Sequence, residues 1–198
     1  MKQIILIKYG EIILKGLNRH TFEDMLIKNI YAALGPIQAE VWRAQATIYA
    51  DIKNENEMDE AIFRLKKVFG IVAIIKAYVL SKEFEQLKQE ARDCLKEELE
   101  SANTFKVEAK RADKKYPMKS PDICRELGGF LSDCYPNLKV DVIRPDKLVT
   151  VEVRETNVYL YCNRIKGLGG MPVGSNSKAV LLLSGGIDSP VAGFMVAK

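Results

Sequence analysis

The first eighty residues alternate between stretches with the period of a strand and stretches with the period of a helix. Four apolar or alternating runs predict strands, and two stretches in which apolar residues recur every three to four positions predict amphipathic helices. In chain order these elements are a strand over residues 3–8, a helix over 21–34, strands over 37–43 and 46–52, a helix over 54–68 and a strand over 71–80. Thr21 and Asp24 have the spacing of a capping box, and Gly35-Pro36 supplies the usual helix stop. The polar stretch 15–19 before the first helix predicts a loop.

The order βαββαβ predicts a ferredoxin-like domain, an antiparallel sheet with two helices on one face. A second unit of helices and strands follows, so the predicted fold class is α+β. Its elements are a helix capped by Ser81 and reaching about Glu100, a basic strand over 105–110, a helix with Ser120 as its N-cap, and β segments over 140–143, 148–154 and 158–162. We predict an N-terminal ferredoxin-like domain over residues 1–77, a second domain over 78–165, a Gly/Pro/Ser-rich linker over 166–177 and the start of a third domain over 178–198.

Positive charge is concentrated in one segment of the second domain. The formal net charge is +4, and the segment 105–119 alone accounts for this excess. Its six basic residues are Lys106, Lys110, Arg111, Lys114, Lys115 and Lys119. A localised basic patch is the electrostatic footprint expected for a nucleic acid. The alternative is a lysine-rich surface loop that is merely solvated. Tyr116, among these lysines, could stack on an unpaired base or simply pack within the loop.

The C-terminal stretch AVLLLSGGIDSPVA carries the most specific chemistry of the chain. Residues 179–183 predict a buried strand, Ser184 to Ser189 form a tight turn, and a helix follows with Ser189 as its N-cap and Pro190 as its first residue. Paired glycines and hydroxyls at the positive end of a helix predict a phosphate-binding loop. It is not a Walker A motif, because no Gly-Lys pair is present. The alternative is a glycine turn that only joins a strand to a helix.

The SGGIDS stretch resembles the SGGxDS loop of the PP-loop ATP pyrophosphatases. Residues from about 60 to 165 resemble a THUMP domain, a module of enzymes that modify tRNA, on the strength of FKV at 105–107, KRADKKYP at 110–117 and Ser120-Pro121. The segments YGEI at 9–12, LKG at 14–16, NR at 18–19 and FE at 22–23 resemble the ferredoxin-like domain that precedes THUMP in one such family. Together these motifs are similar to the first half of a tRNA 4-thiouridine synthetase.

This resemblance implies an ATP-dependent tRNA uridine 4-sulfurtransferase in the complete enzyme. ATP would adenylate O4 of a uridine, and sulfur delivered as a cysteine persulfide by a cysteine desulfurase would displace AMP. The implied ATP ligands are Leu183, Ser184, Gly185, Gly186, Asp188 and Ser189, with Asp188 as the catalytic residue that holds Mg²⁺. The six basic residues would bind the acceptor-stem region of tRNA. A role in thiamine biosynthesis and a homodimer are further implications.

Two alternatives remain at this point. The chain could belong to another PP-loop RNA-modifying ligase, or it could be a purely RNA-binding module whose glycine turn is structural. We expect the rest of the catalytic domain, with its catalytic cysteine, to lie outside these 198 residues, so that the chain alone binds tRNA without catalysis. Its four cysteines show no C-x-x-C pair, which favours reduced thiols over zinc ligands or disulfides. No apolar run approaches the roughly 20 residues of a membrane helix, and we expect a cytoplasmic protein without a membrane partner.

Overall fold

A computed structural model describes residues 1–198 and contains six α-helices and nine strands. The helices are α1 (Arg19–Leu34), α2 (Met58–Leu65), α3 (Phe84–Cys94), α4 (Lys96–Glu100), α5 (Ser120–Cys134) and α6 (Asp188–Ala197). The strands are β1 (Gln3–Tyr9), β2 (Ala39–Ala44), β3 (Thr47–Ile52), β4 (Ile71–Leu80), β5 (Thr104–Arg111), β6 (Lys139–Val140), β7 (Lys147–Val153), β8 (Val158–Tyr161) and β9 (Ile165–Lys166). The chain divides into a first unit, residues 5–75 with 164–198, and a second unit, residues 1–4 with 76–163. No helix is both long enough and apolar enough to cross a bilayer.

The first unit has the predicted βαββαβ order over its N-terminal part. Its strands lie in the order β2-β3-β1-β4, and β3 pairs antiparallel with both β1 and β2. The apolar stripes of α1 and α2 join the sheet in one core, whose fully buried members include Ile5, Ile7, Leu26, Ile30 and Leu65. Each such side chain contributes roughly 1.5–3 kcal/mol by leaving water. The order and the core confirm the ferredoxin-like prediction.

The start of α1 differs from the prediction. A 3₁₀ helix, Glu11–Asn18, occupies most of the predicted loop and runs directly into α1, which begins at Arg19 rather than at Thr21. Gly16 lies at a kink in this 3₁₀ helix with φ of 52°. Asn18 precedes α1 with near-helical angles and no side-chain cap, so the predicted capping box at Thr21 does not form. The polar residues at 15–19 predicted a loop, whereas most of them belong to a 3₁₀ helix that begins at Glu11 and in which Ile12 is buried.

The second unit is the mixed sheet β4-β8-β7-β5-β6 covered by α3, α4 and α5. Strand β5 runs parallel to β6 and β7, whereas β8 is antiparallel to β4 and β7. Phe105 is fully buried in the core of this unit. Because β5 alternates Phe105, Val107 and Ala109 with charged residues, its apolar side chains face the helices while Lys106 and Lys110 remain on the other side.

Helix boundaries in the second unit also correct the prediction. The N-cap of α3 is Glu83 rather than Ser81, because the Glu83 carboxylate accepts hydrogen bonds from the amides of Glu85 (3.1 Å) and Gln86 (2.6 Å). The predicted single helix is interrupted at Leu95 into α3 and α4. Ser120 is the first residue of α5 and Lys119 its N-cap. Of the predicted strand over 140–143, only Val140 lies in a strand, because β6 comprises Lys139–Val140.

The C-terminal segment contains one unexpected strand and lacks one expected strand. β9 pairs with β4, and the amides of Gly167 and Gly169 then donate to the carbonyls of Val72 (2.9 Å) and Ile71 (2.7 Å), so the first part of the predicted linker is hydrogen-bonded in the first unit. Residues 179–183, by contrast, are exposed and form no strand. A strand needs a neighbour for its backbone groups, and no strand of the chain pairs with this run.

Candidate functional site

The SGGIDS loop folds back on itself immediately before α6. The backbone amide of Ser184 donates to Oγ of Ser189 at 3.1 Å, and the two serine hydroxyls lie 3.2 Å apart. The Gly186 amide approaches Oγ of Ser184 at 3.4 Å. Helix α6 begins at Asp188, two residues earlier than the predicted start at Pro190, and Ile187 rather than Ser189 occupies the N-cap position. Two hydroxyls are therefore gathered at the positive end of a helix.

Neither packing nor backbone conformation within the protein requires glycine at the two glycine positions of this loop. A Cβ added to Gly185 would meet no atom within 4 Å, and one added to Gly186 would meet only Oγ of Ser184 at 3.6 Å. Neither glycine has a positive φ. Packing and backbone conformation therefore both tolerate a side chain at these positions. A bare backbone here is useful to an anion that must approach the amides closely.

Asp188 is the single carboxylate of the loop. It is exposed, and no three His, Cys, Asp or Glu side chains of the chain come together as a metal-binding group. Mg²⁺ commonly takes one or two carboxylates together with substrate phosphates and water. A single exposed carboxylate fits a metal that a nucleotide would hold for the most part, and Asp188 is the residue of the loop that could contribute a ligand to it. Leu183, the remaining predicted ATP contact, is exposed next to Ser184.

The six basic residues predicted for RNA binding divide into two groups. Lys114, Lys115 and Lys119 are exposed on residues 112–119, which we call the basic loop, between β5 and α5. The other three are engaged by the protein: Lys106 Nζ donates to the Val142 carbonyl (3.1 Å), Lys110 Nζ lies 3.5 Å from the Glu108 carboxylate, and Arg111 Nη1 donates to the carbonyls of Tyr116 (3.1 Å) and Met118 (3.0 Å). Only the first group is free to meet a phosphate without first giving up a contact.

Tyr116 packs within the basic loop rather than presenting its ring to solvent. Its exposed fraction is 4%, and its hydroxyl is buried without a hydrogen-bond partner. Burial raises the pKa of this phenol. The ring lies against an open cleft of about 750 Å³ whose other lining residues are Lys82, Ala112, Asp113, Lys114, Lys115, Pro117 and Glu155. Stacking of Tyr116 on a base, one of the two sequence interpretations, would require the loop to rearrange.

Lys82 is the contributor to this cleft that sequence reasoning missed. Its ammonium donates to Oδ2 of Asp113 at 2.6 Å and to the Glu155 carbonyl at 2.8 Å. The bond from Lys82 and a second from the Lys115 amide lower the pKa of Asp113 below its ordinary value. Lys82 lies 31 residues before Asp113, outside the basic segment, so only the sheet brings it to the basic loop.

The N-terminal motif residues Tyr9, Arg19 and Glu23 converge in the first unit. The Tyr9 hydroxyl and Arg19 Nε both donate to Oε1 of Glu23 at 2.5 Å, and Arg19 Nη2 lies 2.9 Å from the Tyr9 oxygen. Burial and the bond to Glu23 raise the pKa of Tyr9 to about 12. Burial opposes ionisation of Glu23, but its hydrogen bonds from Tyr9 and Arg19, with the charges of Arg19 and Arg43, outweigh it and lower the Glu23 pKa. The cluster holds a charged carboxylate inside the fold.

The four cysteines are free and half-buried. Burial raises the pKa of Cys94 to about 11 and that of Cys162 to about 12. Burial also raises the pKa of Cys124. A reactive sulfur is a thiolate, so these three thiols are poor nucleophiles at neutral pH.

Three family models match successive parts of the chain. They are the ThiI ferredoxin-like domain over residues 4–74, the THUMP domain over 81–163 and the thiamine biosynthesis protein (ThiI) over 174–198. Proteins named probable tRNA sulfurtransferase are similar over the whole chain, with 49% identity in Acetivibrio thermocellus and 47% in Lachnoclostridium phytofermentans. The chain spans 51% of each of these two relatives, about half their length.

Solved structures are also similar to the chain. A crystal structure described as a 4-thiouridine synthetase–RNA complex with bound ATP matches all of this chain and 50% of its own, at 40% identity and a TM-score of 0.84. A Pyrococcus horikoshii protein matches 87% of this chain and 57% of its own, at 29% identity and a TM-score of 0.76. Sequence, domain order and fold agree along the full length compared. The chain belongs to the ThiI family and carries that family's ferredoxin-like domain, its THUMP domain and the first residues of the ThiI domain.

Proposed function

We propose that the protein containing this chain is an ATP-dependent tRNA sulfurtransferase that converts a uridine of tRNA to 4-thiouridine. ATP adenylates uridine O4 with loss of pyrophosphate. The terminal sulfur of a cysteine persulfide then attacks C4 and displaces AMP, and a second thiol cleaves the remaining sulfur–sulfur bond, which leaves the sulfur on the base and a disulfide between the two cysteines. The observation that carries the proposal is the SGGIDS loop, where paired hydroxyls and unobstructed glycine backbone lie at a helix N-terminus. The ATP-bound structure at 40% identity supports the same ligand.

In this proposal, most residues of the loop bind phosphate and one holds a metal ion. The amides of Ser184, Gly185 and Gly186 and the hydroxyls of Ser184 and Ser189 bind phosphate oxygens, with Leu183 at the edge of the nucleotide. Asp188 holds Mg²⁺, which neutralises charge on the departing pyrophosphate when it is bound.

The second unit binds tRNA in the acceptor-stem region, mainly through Lys114, Lys115 and Lys119. These lysines are exposed and close in sequence, as required for neighbouring phosphates of an A-form stem. Lys106, Lys110 and Arg111 lie in the same segment. Each would have to give up its present contact before it could bind a phosphate. The RNA complex of the structural neighbour at 40% identity and the THUMP match support this part of the proposal.

Sulfur arrives from outside the chain in this proposal. A cysteine desulfurase supplies the persulfide to a cysteine outside these 198 residues. The burial that raises the pKa of Cys94 and Cys162 agrees with neither of these two thiols being the acceptor. The 198 residues alone then bind tRNA without thiolating it. A cytoplasmic location, a homodimer and a second role in thiamine biosynthesis belong to the same proposal, the last supported by the description of the matching family.

The decisive experiment compares Asp188→Asn and Asp133→Asn in the full protein. Asp133 is an exposed carboxylate on α5, in the second unit and outside the loop sequence, and serves as the matched control. With tRNA, ATP, Mg²⁺ and a persulfide donor, we expect Asp188→Asn to lower 4-thiouridine, measured by mass spectrometry of digested nucleosides, by about 100-fold. Asp133→Asn should thiolate normally. Normal thiolation by Asp188→Asn would remove the loop from the mechanism.

A further inference from the structure

The basic loop has an internal framework made by side chains rather than by backbone pairing. The backbone amides of Ala112 and Asp113 both donate to the Val153 carbonyl (2.9 and 3.3 Å), and beyond them the loop leaves the sheet. From there to α5, its shape depends on groups that reach into it from Lys82, Arg111 and Asp113. The exposed lysines of the basic loop therefore lie beyond the last backbone hydrogen bonds that join this segment to the sheet.

Lys82 and Asp113 tie the loop to the rest of the second unit. The Lys82 ammonium bridges Asp113 Oδ2 and the Glu155 carbonyl, and it lies 6.0 Å from the centre of the Tyr116 ring. The other oxygen of Asp113 accepts the Lys115 amide at 2.9 Å, which fixes the turn that follows. The Asp113 side chain is only 11% exposed, so its charge is directed into the loop rather than into solvent.

Arg111 closes the other end of the loop. One nitrogen of its guanidinium donates to two carbonyls, those of Tyr116 and Met118, five and seven residues further along the chain. A guanidinium that spans two backbone acceptors restricts both of them at once. The segment between Arg111 and Lys119 is thus fastened at its start, its middle and its end.

We infer that Lys82, Arg111 and Asp113 are positioning residues for RNA, and that Asp113 promotes RNA binding although its charge repels phosphate. The inference rests on the proposed tRNA-binding function. Lys114, Lys115 and Lys119 do the binding, and the three positioning residues hold them in the arrangement that phosphates meet. If the loop were loose, binding would have to order it, and fixing even one or two residues lowers affinity by about tenfold.

Asp113 gives a test in which the two explanations predict opposite signs. If only charge matters, Asp113→Asn removes an anion near RNA and tightens binding. If Asp113 positions the loop, the same change replaces one carboxylate oxygen with an NH₂ donor, so that either the Lys82 ammonium or the Lys115 amide loses its acceptor, and the looser loop binds RNA more weakly. Glu108→Gln is the matched control, because Glu108 lies in the same basic segment and is 44% exposed beside Lys110 but contacts no group of the basic loop.

The experiment measures tRNA affinity by fluorescence anisotropy at several salt concentrations and amide hydrogen exchange of residues 112–119 without RNA. We expect Asp113→Asn to bind about tenfold more weakly with an unchanged salt slope and faster loop exchange, and Glu108→Gln to bind equally or more tightly. Lys82→Met should match Asp113→Asn, and Lys82→Arg should restore affinity. Unchanged or tighter binding by Asp113→Asn, or weaker binding without faster exchange, would overturn the inference. Failure of the unaltered protein to bind tRNA would instead overturn the proposed function.

Discussion

The salt dependence of tRNA binding reports how many cations of the basic segment meet phosphate. Each phosphate neutralised changes the slope of log K against log salt concentration by about −0.7 to −0.9. Replacing the three lysines of the basic loop, Lys114, Lys115 and Lys119, with alanine should therefore make the slope shallower by about 2 to 3. Replacing Lys106 and Lys110, which bond to a carbonyl and a carboxylate, should change it by less than about 1.

The same count fixes the size of the effect on affinity. A fourfold rise in salt, from about 50 to 200 mM, lowers affinity by roughly 20- to 40-fold for three phosphate contacts. Over the same rise, the fall in affinity of the triple variant should therefore be smaller than that of the unaltered protein by this factor. Lys96→Ala is the control, because Lys96 is exposed on α4. Labelled tRNA titrated by fluorescence anisotropy at four salt concentrations gives all the slopes. Equal slope changes per residue in the two sets would refute the division of the lysines into free and engaged groups.

Three further outcomes follow from the first and second units. Glu23→Gln should lower the free energy of unfolding of the first unit by about 2–3 kcal/mol, read by the fluorescence of the single tryptophan, Trp42, which stacks on Tyr49 in that unit. Folding lowers the pKa of Glu23, so the stability that its charge contributes is complete above the pKa of an unfolded glutamate and is lost as pH falls through the folded pKa. In urea titrations at several pH values, the difference in free energy of unfolding between the unaltered protein and Glu23→Gln should therefore shrink in acid and stay constant near neutrality. Gly129→Ala in α5, where an added Cβ meets nothing within 4 Å, should raise the melting temperature with a gain of about 0.5–1 kcal/mol; a loss would mean that α5 needs this glycine.

The order of helices and strands was available from the sequence because periodicity records which side of an element is buried. The ferredoxin-like order and the burial of Phe105 on β5 both follow from that record. Residues 179–183 show its limit: an apolar run reveals a capacity for burial, whereas strand formation also needs a paired neighbour. The predicted capping box at the N-terminus of α1 was wrong for a related reason. The preceding 3₁₀ helix leads directly into α1, so no side chain is needed to cap it.

The candidate sites were predicted by residue type more accurately than by role. The SGGIDS motif and the basic segment are both recognisable in the sequence, and the structure leaves the loop glycines unobstructed and four of the segment's five lysines exposed. The role of Arg111 could not be read from sequence, because its carbonyl acceptors are defined only by the path of the basic loop. Lys82 was missed because its partner Asp113 is distant along the chain and is brought near by the sheet.

The exposed run Ala179–Leu183 has a consequence for handling the protein in solution. Val180, Leu182 and Leu183 are each more than 70% exposed, and the five-residue run contains no charge and no proline. Short, exposed, uncharged segments that are rich in branched apolar residues promote aggregation between copies of a chain. At the concentrations used for crystallisation or magnetic resonance, the 198-residue polypeptide should therefore self-associate through this run, and a single lysine in place of Leu182 should keep it dispersed.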